Sequence, residues 1–109
     1  VHTLTLSCCK QITDVSALGN VHTLHLDCCN ITDVSALGNV HTLNLTGCNQ
    51  ITDVSALGNV HTLDLSFCNI KDVSALGNVH SLDLTCCDNI TDFSALDNVP
   101  NLILPHDLD

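Results

Sequence analysis

The chain has 109 residues and a formal net charge of −10, with twelve acidic residues against two lysines. So few cations leave almost nothing to neutralise phosphates, which argues against nucleic acid and anionic membranes as partners. No apolar run is long enough to span a bilayer, and no targeting segment is visible. Because the sequence begins at Val1, we expect a processed product or an excised piece.

One phrase, ITDVSALGNVHTL, stands at residues 51–63 and recurs almost unchanged at 12–24, 31–43 and 70–82. Aligned on VHTL, the chain divides into units 1–20, 21–39, 40–59, 60–78 and 79–98, followed by a C-terminal partial cap at 99–109. The one-residue length difference always falls between the cysteine and the isoleucine, which marks a loop. One such coil cannot cover its own apolar side chains, so we expect residues 1–109 to form a single domain of stacked coils.

Each unit reads the same way in chain order. Leu4 and Leu6 are two residues apart, the period of a strand with one face inward. Beyond the cysteine the apolar spacing loosens to three, which suits turns or 3₁₀ segments and leaves too little room for an α-helix. Asp14 and Ser16 can accept hydrogen bonds from nearby N–H groups and start this bend. Gly19 suits the turn back toward the next strand.

Eight cysteines in a short chain could indicate a disulfide framework. However, five of them recur singly with the repeat, three residues after a leucine, at Cys9, Cys29, Cys48, Cys68 and Cys87. A framework would need pairs, so we interpret these five as reduced, buried thiols that act as small apolar side chains. This interpretation favours an intracellular, reducing compartment.

The patterns LxLxxC and CxxITD, as in Leu4–Cys9 and Cys48–Asp53, resemble the leucine-rich repeat, in particular its cysteine-containing subtype. ITDVSAL is also similar to the ITDISPL segment of bacterial internalin-type repeats. The resemblance implies a right-handed leucine-rich-repeat solenoid with a parallel β-sheet on one face and short turns or 3₁₀ segments on the other. It also implies protein binding as the commonest role. Units of 19–20 residues are shorter than usual in the family, so tight bends should replace helices.

Stacking turns each outward position into a column. The first column is a run of Thr3, Thr23, Thr42, Thr62 and Ser81; the second is Thr5, His25, Asn44, Asp64 and Asp83; the third is Ser7, Asp27, Thr46, Ser66 and Thr85; the fourth is Cys8, Cys28, Gly47, Phe67 and Cys86. Variation concentrates in the second and fourth columns. Either these sites drift without constraint, or they form an acidic binding surface for a basic protein, with Phe67 as an apolar anchor. The candidate binding residues are His25, Asp27, Asn44, Asp64, Phe67 and Asp83.

Other columns suggest less favoured roles. The threonine column could order water as in ice-binding solenoids, but the charged second column would disrupt such a lattice. The column from His2 to His80 could bind a transition metal, yet lacks a converging second ligand set, so we favour stacked rings bonded to Asn or backbone. Protonation of such a stack would be opposed by like charge. The Asp14 column could suggest calcium, but each turn offers one carboxylate, and capping is favoured.

No cofactor and no enzymatic activity are expected, because repetition places every Ser, His and Asp in equivalent columns and singles out no pocket. Cys8 and Cys28 lie in adjacent coils within disulfide range. Pro100 and Pro105 suit a stopping place at the end of the sheet. Because Val1, Leu4 and Leu6 open the first coil without a cap, the alternative function is a structural fragment of a longer array that self-associates end to end.

Overall fold

The computed structural model describes residues 3–8, 10–12 and 14–105. Six three-residue strands form one parallel sheet in chain order: β1 (Thr3–Thr5), β2 (Thr23–His25), β3 (Thr42–Asn44), β4 (Thr62–Asp64), β5 (Ser81–Asp83) and β6 (Asn101–Ile103). One 3₁₀ turn lies between each pair of strands: Ser16–Leu18, Ser35–Leu37, Ser55–Leu57, Ser74–Leu76 and Ser94–Leu96. The predicted solenoid, with a parallel sheet on one face and 3₁₀ turns on the other, is confirmed. The predicted positions Val1, His2 and Cys9, and residues 106–109 of the cap, lie outside the described residues.

The strands pair with like residues opposite one another. Thr23 pairs with Thr42, and Leu24 with Leu43, and the same register holds along the sheet. Since alternate side chains of a strand point to opposite faces, the leucines face inward and the threonines outward. Each repeated residue therefore stacks on its own copy, about 4.8 Å away.

The core is made of the repeated apolar positions. Leu24, Leu43, Leu63 and Leu82 are no more than 2% exposed, and the valine, isoleucine and cysteine columns between the two faces are buried with them. Each buried leucine contributes about 1.5–3 kcal/mol. In the first coil Leu4 and Leu6 are only half-buried, because a neighbour covers them on one side.

An aspartate lies two residues before the first residue of each 3₁₀ turn. The backbone N–H of Ser16 donates to Asp14 Oδ1 at 3.0 Å, and the equivalent bond recurs in the other four coils at 2.9–3.0 Å. Leu18 N–H then donates to the carbonyl of Val15 and closes the turn. These bonds confirm that the aspartate accepts a backbone hydrogen bond at the start of the bend, whereas the N-cap residue itself, Val15 in the first coil, makes no side-chain cap bond. They also lower the pKa of each carboxyl from its ordinary value, because hydrogen bonds from the serine favour the ionised form.

The repeated glycines are required for a reason that the sequence did not reveal. Gly58 has φ −64°, a conformation open to any residue. A Cβ there would lie 2.5 Å from the carbonyl oxygen of Ala75 in the next coil, and the other three glycines meet the same obstacle at 2.5–2.7 Å. The glycine thus permits close stacking of the 3₁₀ turns, and the explanation from turn geometry was wrong.

The cysteine column does more than fill space. Cys29, Cys48 and Cys87 are buried, and each thiol donates to a leucine carbonyl of the preceding coil at 2.8–3.0 Å. Cys68 does the same at 3.1 Å. Burial raises the pKa of Cys48 to about 11 and that of Cys68 to about 12. The four described thiols of this column are therefore buried as predicted and are free in this structure, and each also adds a hydrogen bond between coils.

The alternation of 20 and 19 residues has a structural counterpart. In the shorter coils the single asparagine at the loop reaches back to the longer coil before it. Asn30 Nδ2 donates to the carbonyl of Lys10 at 3.0 Å, and Asn69 Nδ2 to that of Asn49 at 3.2 Å. The side-chain amide of the asparagine in the shorter coil thus binds a backbone carbonyl in the longer loop of the coil before it.

The last described coil departs from this pattern. Residues 101–103, expected to belong to a partial cap, form the sixth strand, and Ile103 pairs with Asp83. Asn101 N–H donates to the carbonyl of His80, but Pro100 has no N–H for the second bond that the histidines make at its position. Asp97 occupies the place of the glycine.

Candidate binding face

The candidate site is the outward side of the sheet and of the turn that follows each strand. We call the second column, Thr5, His25, Asn44, Asp64 and Asp83, the strand column. The third column, Ser7, Asp27, Thr46, Ser66 and Thr85, is the hydroxyl column, and the fourth, Cys8, Cys28, Gly47, Phe67 and Cys86, is the αL column. The in-register pairing places the strand column in one line across the sheet.

Three of the predicted site residues have a structural role that sequence reasoning missed. Asp64 Oδ1 accepts hydrogen bonds from the backbone N–H of Ser66 at 2.9 Å and from its hydroxyl at 2.6 Å. Asn44 and Asp83 bind the residue two positions later in the same way. These bonds turn the chain at the end of the strand. The signal was present in the sequence as N-x-T, D-x-S and D-x-T.

The turn also changes where the hydroxyl column lies. The sequence predicted that this column points to solvent, but Ser66 is only 6% exposed. The strict alternation of a strand ends at Asp64, because β4 stops there and the turn folds Ser66 under its carboxylate. The prediction of an outward third column was therefore wrong at this residue.

The second coil reverses the pattern. His25 stands where the other coils have an acceptor, and Asp27 stands where they have a hydroxyl. Asp27 Oδ1 is buried, and no described residue donates a hydrogen bond to it. A buried acceptor without a partner costs about 1–3 kcal/mol. This carboxylate oxygen is the one buried side-chain N or O atom left unsatisfied among residues 3–8, 10–12 and 14–105.

The residues of the αL column share a left-handed backbone conformation. Cys8, Cys28, Phe67 and Cys86 have φ of 58–63°, and Gly47 has φ 75°. This left-handed conformation costs most residues about 1–2 kcal/mol and is free for glycine. Gly47 was the one sequence signal for it. The conformation turns the Phe67 side chain outward, where it is 54% exposed.

A shallow groove follows the C-terminal half of this face. Its volume is about 580 Å³, and it is lined by Asp64, Asp83 and Ile103 together with the neighbouring residues of β4, β5 and β6. Asp64 and Asp83 are directly paired across two strands, and like charges so placed repel each other. The groove therefore combines two adjacent carboxylates with the 45%-exposed side chain of Ile103.

The histidines form a stack along one edge of the sheet. The rings of His22, His41, His61 and His80, which we call the His ladder, lie 4.5–4.6 Å apart and within 11° of parallel. Each Nδ1 is hydrogen-bonded to the hydroxyl of the next residue at 2.9–3.3 Å, whereas the sequence led us to expect Asn or backbone. Burial, followed by the like charges of His61 and His22, lowers the pKa of His41.

The described residues hold no group of three or more His, Cys or Asp side chains able to bind a metal ion. Within the same part of the chain no helix has the length and apolarity needed to cross a bilayer.

Comparison with known proteins agrees with this geometry. Two models of leucine-rich repeats match the sequence, one over residues 19–59 and the other over residues 59–77 and 78–92. A search of curated proteins finds no match.

Among solved structures, an internalin (InlF) from Listeria monocytogenes is similar at a TM-score of 0.77 and 32% identity, over 95% of this chain and 34% of that one. Internalin C2 from the same organism gives 0.75 and 29%, over 95% and 51%. The functional domain of InlJ, described as including a cysteine ladder, gives 0.51 and 22%, over 95% and 30%, a likeness in fold. The chain thus spans between about a third and a half of the chains that it matches.

Proposed function

Because the chain belongs to the leucine-rich-repeat family, we propose that it is a non-enzymatic module that binds a basic protein through the outward face of its sheet. The proposed contacts are His25, Asp27, Asn44, Asp64, Phe67 and Asp83. The family and its internalin neighbours support a protein-interaction role at this coarse level, and the partner's chemistry is inferred from the face itself.

The observation that carries the proposal is the unsatisfied Oδ1 of Asp27. The third, fourth and fifth coils use a hydroxyl at this position to complete their own turn, whereas the second coil maintains a buried acceptor at a cost. A lysine or arginine side chain of the partner would recover that cost when the Asp27 side chain rotates on binding and turns Oδ1 toward the surface.

The charges of the face point to the same class of partner. The turn bonds of Asp64 and Asp83 use Oδ1, and no described residue donates to Oδ2 of either carboxylate. Two adjacent carboxylates in a chain of net charge −10 attract a cationic side chain. Phe67 and Ile103 flank them as exposed apolar contacts, which suits an anchor beside a charged pair.

The alternative, end-to-end stacking of copies, meets an obstacle at the last described coil. Asp97 has φ −59°, close to that of the glycines it replaces. A Cβ at the equivalent glycines would lie 2.5–2.7 Å from the following coil. A further coil of this repeat stacked on Asp97 would meet the same clash, so this face is poorly suited to a second copy.

The experiment is capture with variants that keep the turns intact. Asn44 shows that an amide oxygen makes the same turn bonds as a carboxylate, so Asp64→Asn and Asp83→Asn remove charge without removing the acceptor. The matched control is Asp88→Asn with Asp97→Asn, which removes the same charge from exposed positions outside the face. Proteins captured by wild type would be identified by mass spectrometry and their affinities measured with purified components.

We expect the Asp64→Asn and Asp83→Asn pair to weaken binding at least about tenfold, and Phe67→Ala to weaken it further. The control pair should change the affinity by less than about threefold at moderate salt. Equal losses in both pairs would show that net charge, and not this face, selects the partner. Unchanged binding in the first pair would reject the proposed surface.

A further inference from the structure

The αL column brings two cysteines next to each other. Cys8 and Cys28 occupy equivalent positions in the first two coils, and their backbones have nearly the same φ, 58° and 62°. Cys8 N–H donates to the carbonyl of Asp27 at 2.7 Å, and Cys28 N–H donates to that of Thr46 at 2.8 Å. The two residues are thus held by the same ladder, one coil apart.

The spacing within this column is known from the next coil. A Cβ built on Gly47 would lie 3.9 Å from the Cα of Cys28 and 3.0 Å from its Sγ. Coils one and two are related in the same way as coils two and three. The side chain of Cys28 therefore lies next to that of Cys8. A disulfide needs Cβ atoms about 3.5–4.5 Å apart and Cα atoms about 4.4–6.8 Å apart. Cys8 and Cys28 lie beyond the ends of β1 and β2, but the backbone hydrogen bond from Cys8 to Asp27 keeps the two coils near the strand spacing of about 4.8 Å, which satisfies the second condition.

The thiols also interact and can be reached. A hydrogen bond with the Cys8 side chain is the largest of the effects that raise the pKa of the Cys28 thiol. Cys8 is exposed and Cys28 is half-buried, and both are reduced in this structure. In contrast, Cys86, the other described cysteine of the αL column, has Phe67 and not a thiol as its neighbour in the preceding coil.

We infer that Cys8 and Cys28 are a thiol–disulfide modification site that joins the first two coils when a low-molecular-weight disulfide, such as oxidised glutathione, is present. The thiolate of Cys8, the more exposed of the two, attacks one sulfur of that disulfide and displaces a glutathione thiolate. The thiolate of Cys28 then attacks Cys8 Sγ and displaces the second. The protein loses two protons and two electrons, and one glutathione disulfide becomes two glutathione thiols.

The bond would act where packing is weakest. Leu4 and Leu6 of the first coil are half-buried, whereas Leu24 and Leu26 of the second are fully buried. A cross-link between coils one and two limits the opening of the first coil, which its own core contacts restrain least. Oxidation should therefore slow amide hydrogen exchange in residues 3–8 by at least about tenfold.

The test uses the full chain, incubated with oxidised glutathione at neutral pH and mapped by mass spectrometry without reduction. We expect one intramolecular disulfide, the loss of two free thiols, and a rate that rises with pH because the thiolate is the attacking form. Cys9→Ser should form the same bond, and Cys8→Ser should not. A cross-link that survives Cys8→Ser, or a stable glutathione adduct on Cys8 without ring closure, would overturn the inference.

A gain-of-function variant checks the geometry independently of the first coil. Phe67→Cys places a thiol in the αL column one coil before Cys86, at the same relative position as the natural pair. This variant should form a second disulfide at a rate within about tenfold of the first. If it forms none while remaining folded by circular dichroism, adjacency in the αL column is not sufficient, and the inference from coil geometry is wrong.

Discussion

Replacing a repeated glycine by alanine should change the free energy of unfolding in opposite directions, depending on whether backbone conformation alone or close stacking of the 3₁₀ turns explains the glycine. Gly58 has φ −64° and ψ −19°, which alanine adopts freely. If backbone conformation alone mattered, Gly58→Ala would stabilise the protein by about 0.4–1 kcal/mol by restricting the unfolded chain. In the structure, however, the new Cβ would lie 2.5 Å from the carbonyl oxygen of Ala75.

The magnitude follows from this distance. Ordinary carbon–oxygen contacts are about 3.3–3.6 Å, so the two 3₁₀ turns would have to separate by roughly 0.8–1.1 Å. Forcing an extra methyl into a packed interior costs about 1–3 kcal/mol. After the backbone gain is subtracted, we expect Gly58→Ala to destabilise the chain by about 1.3 kcal/mol, within a range of roughly 0–2.6 kcal/mol.

The assay is urea unfolding followed by circular dichroism, with the comparison of Asp97→Gly and Asp97→Ala as the matched control. Asp97 has the same position in its coil and nearly the same φ, and no described coil stacks beyond it. Asp97→Ala should be more stable than Asp97→Gly by about 0.4–1 kcal/mol, the backbone gain without a clash. A Gly58→Ala variant that is more stable than wild type would refute the close stacking of the turns.

Three further predictions concern the His ladder, the αL column and the buried thiols. The pKa of His41 is lowered in the folded state, so the unfolded chain takes up a proton first as pH drops. The free energy of unfolding should therefore fall as pH drops through about 6.5. His41→Gln should reduce this fall, measured from urea midpoints between about pH 7.5 and 5.5. Phe67→Gly should stabilise the fold by about 1 kcal/mol, because φ 63° is free for glycine, while weakening partner binding. Iodoacetamide at about pH 8 should label native Cys48, whose pKa is raised to about 11, about a hundredfold more slowly than the same thiol in unfolded protein.

Each of these has its own control. His25→Gln changes a histidine outside the stack, so an equal effect on acid sensitivity would count against coupling between the rings. Phe67→Val places a β-branched side chain at positive φ and should destabilise the fold; a stability equal to that of Phe67→Gly would contradict the backbone argument. Rapid native labelling of Cys48, measured by mass spectrometry, would contradict its burial.

Much of the fold could be predicted because repetition and period are both visible in the letters. Leu24 and Leu26 alternate as in a strand, and their copies in every unit must stack. The aspartate that begins each bend was also readable, since Asp33 precedes Ser35 by the two residues that a turn of this kind needs.

The candidate site was harder to predict because its side chains serve the fold as well. Asp64 looked free for binding, yet its Oδ1 holds Ser66 in place. The left-handed backbone at Phe67 depends on how the strand meets its turn, and the glycine at that place in one coil of the five was the one hint. The exchange of His25 and Asp27 for the usual acceptor and hydroxyl was visible in the sequence, but the burial of Asp27 Oδ1 emerges only from three-dimensional packing.

We propose that partners bind the outward face of the sheet. A ¹H–¹⁵N NMR titration of the chain with a captured, purified partner tests this most directly, because every backbone amide reports separately. We expect shifts concentrated at residues 25–27, 44–46, 64–67 and 83–85, with that of Asp27 among the largest. Shifts concentrated instead on the 3₁₀ turns at residues 35–37, 55–57 and 74–76 would contradict this proposal.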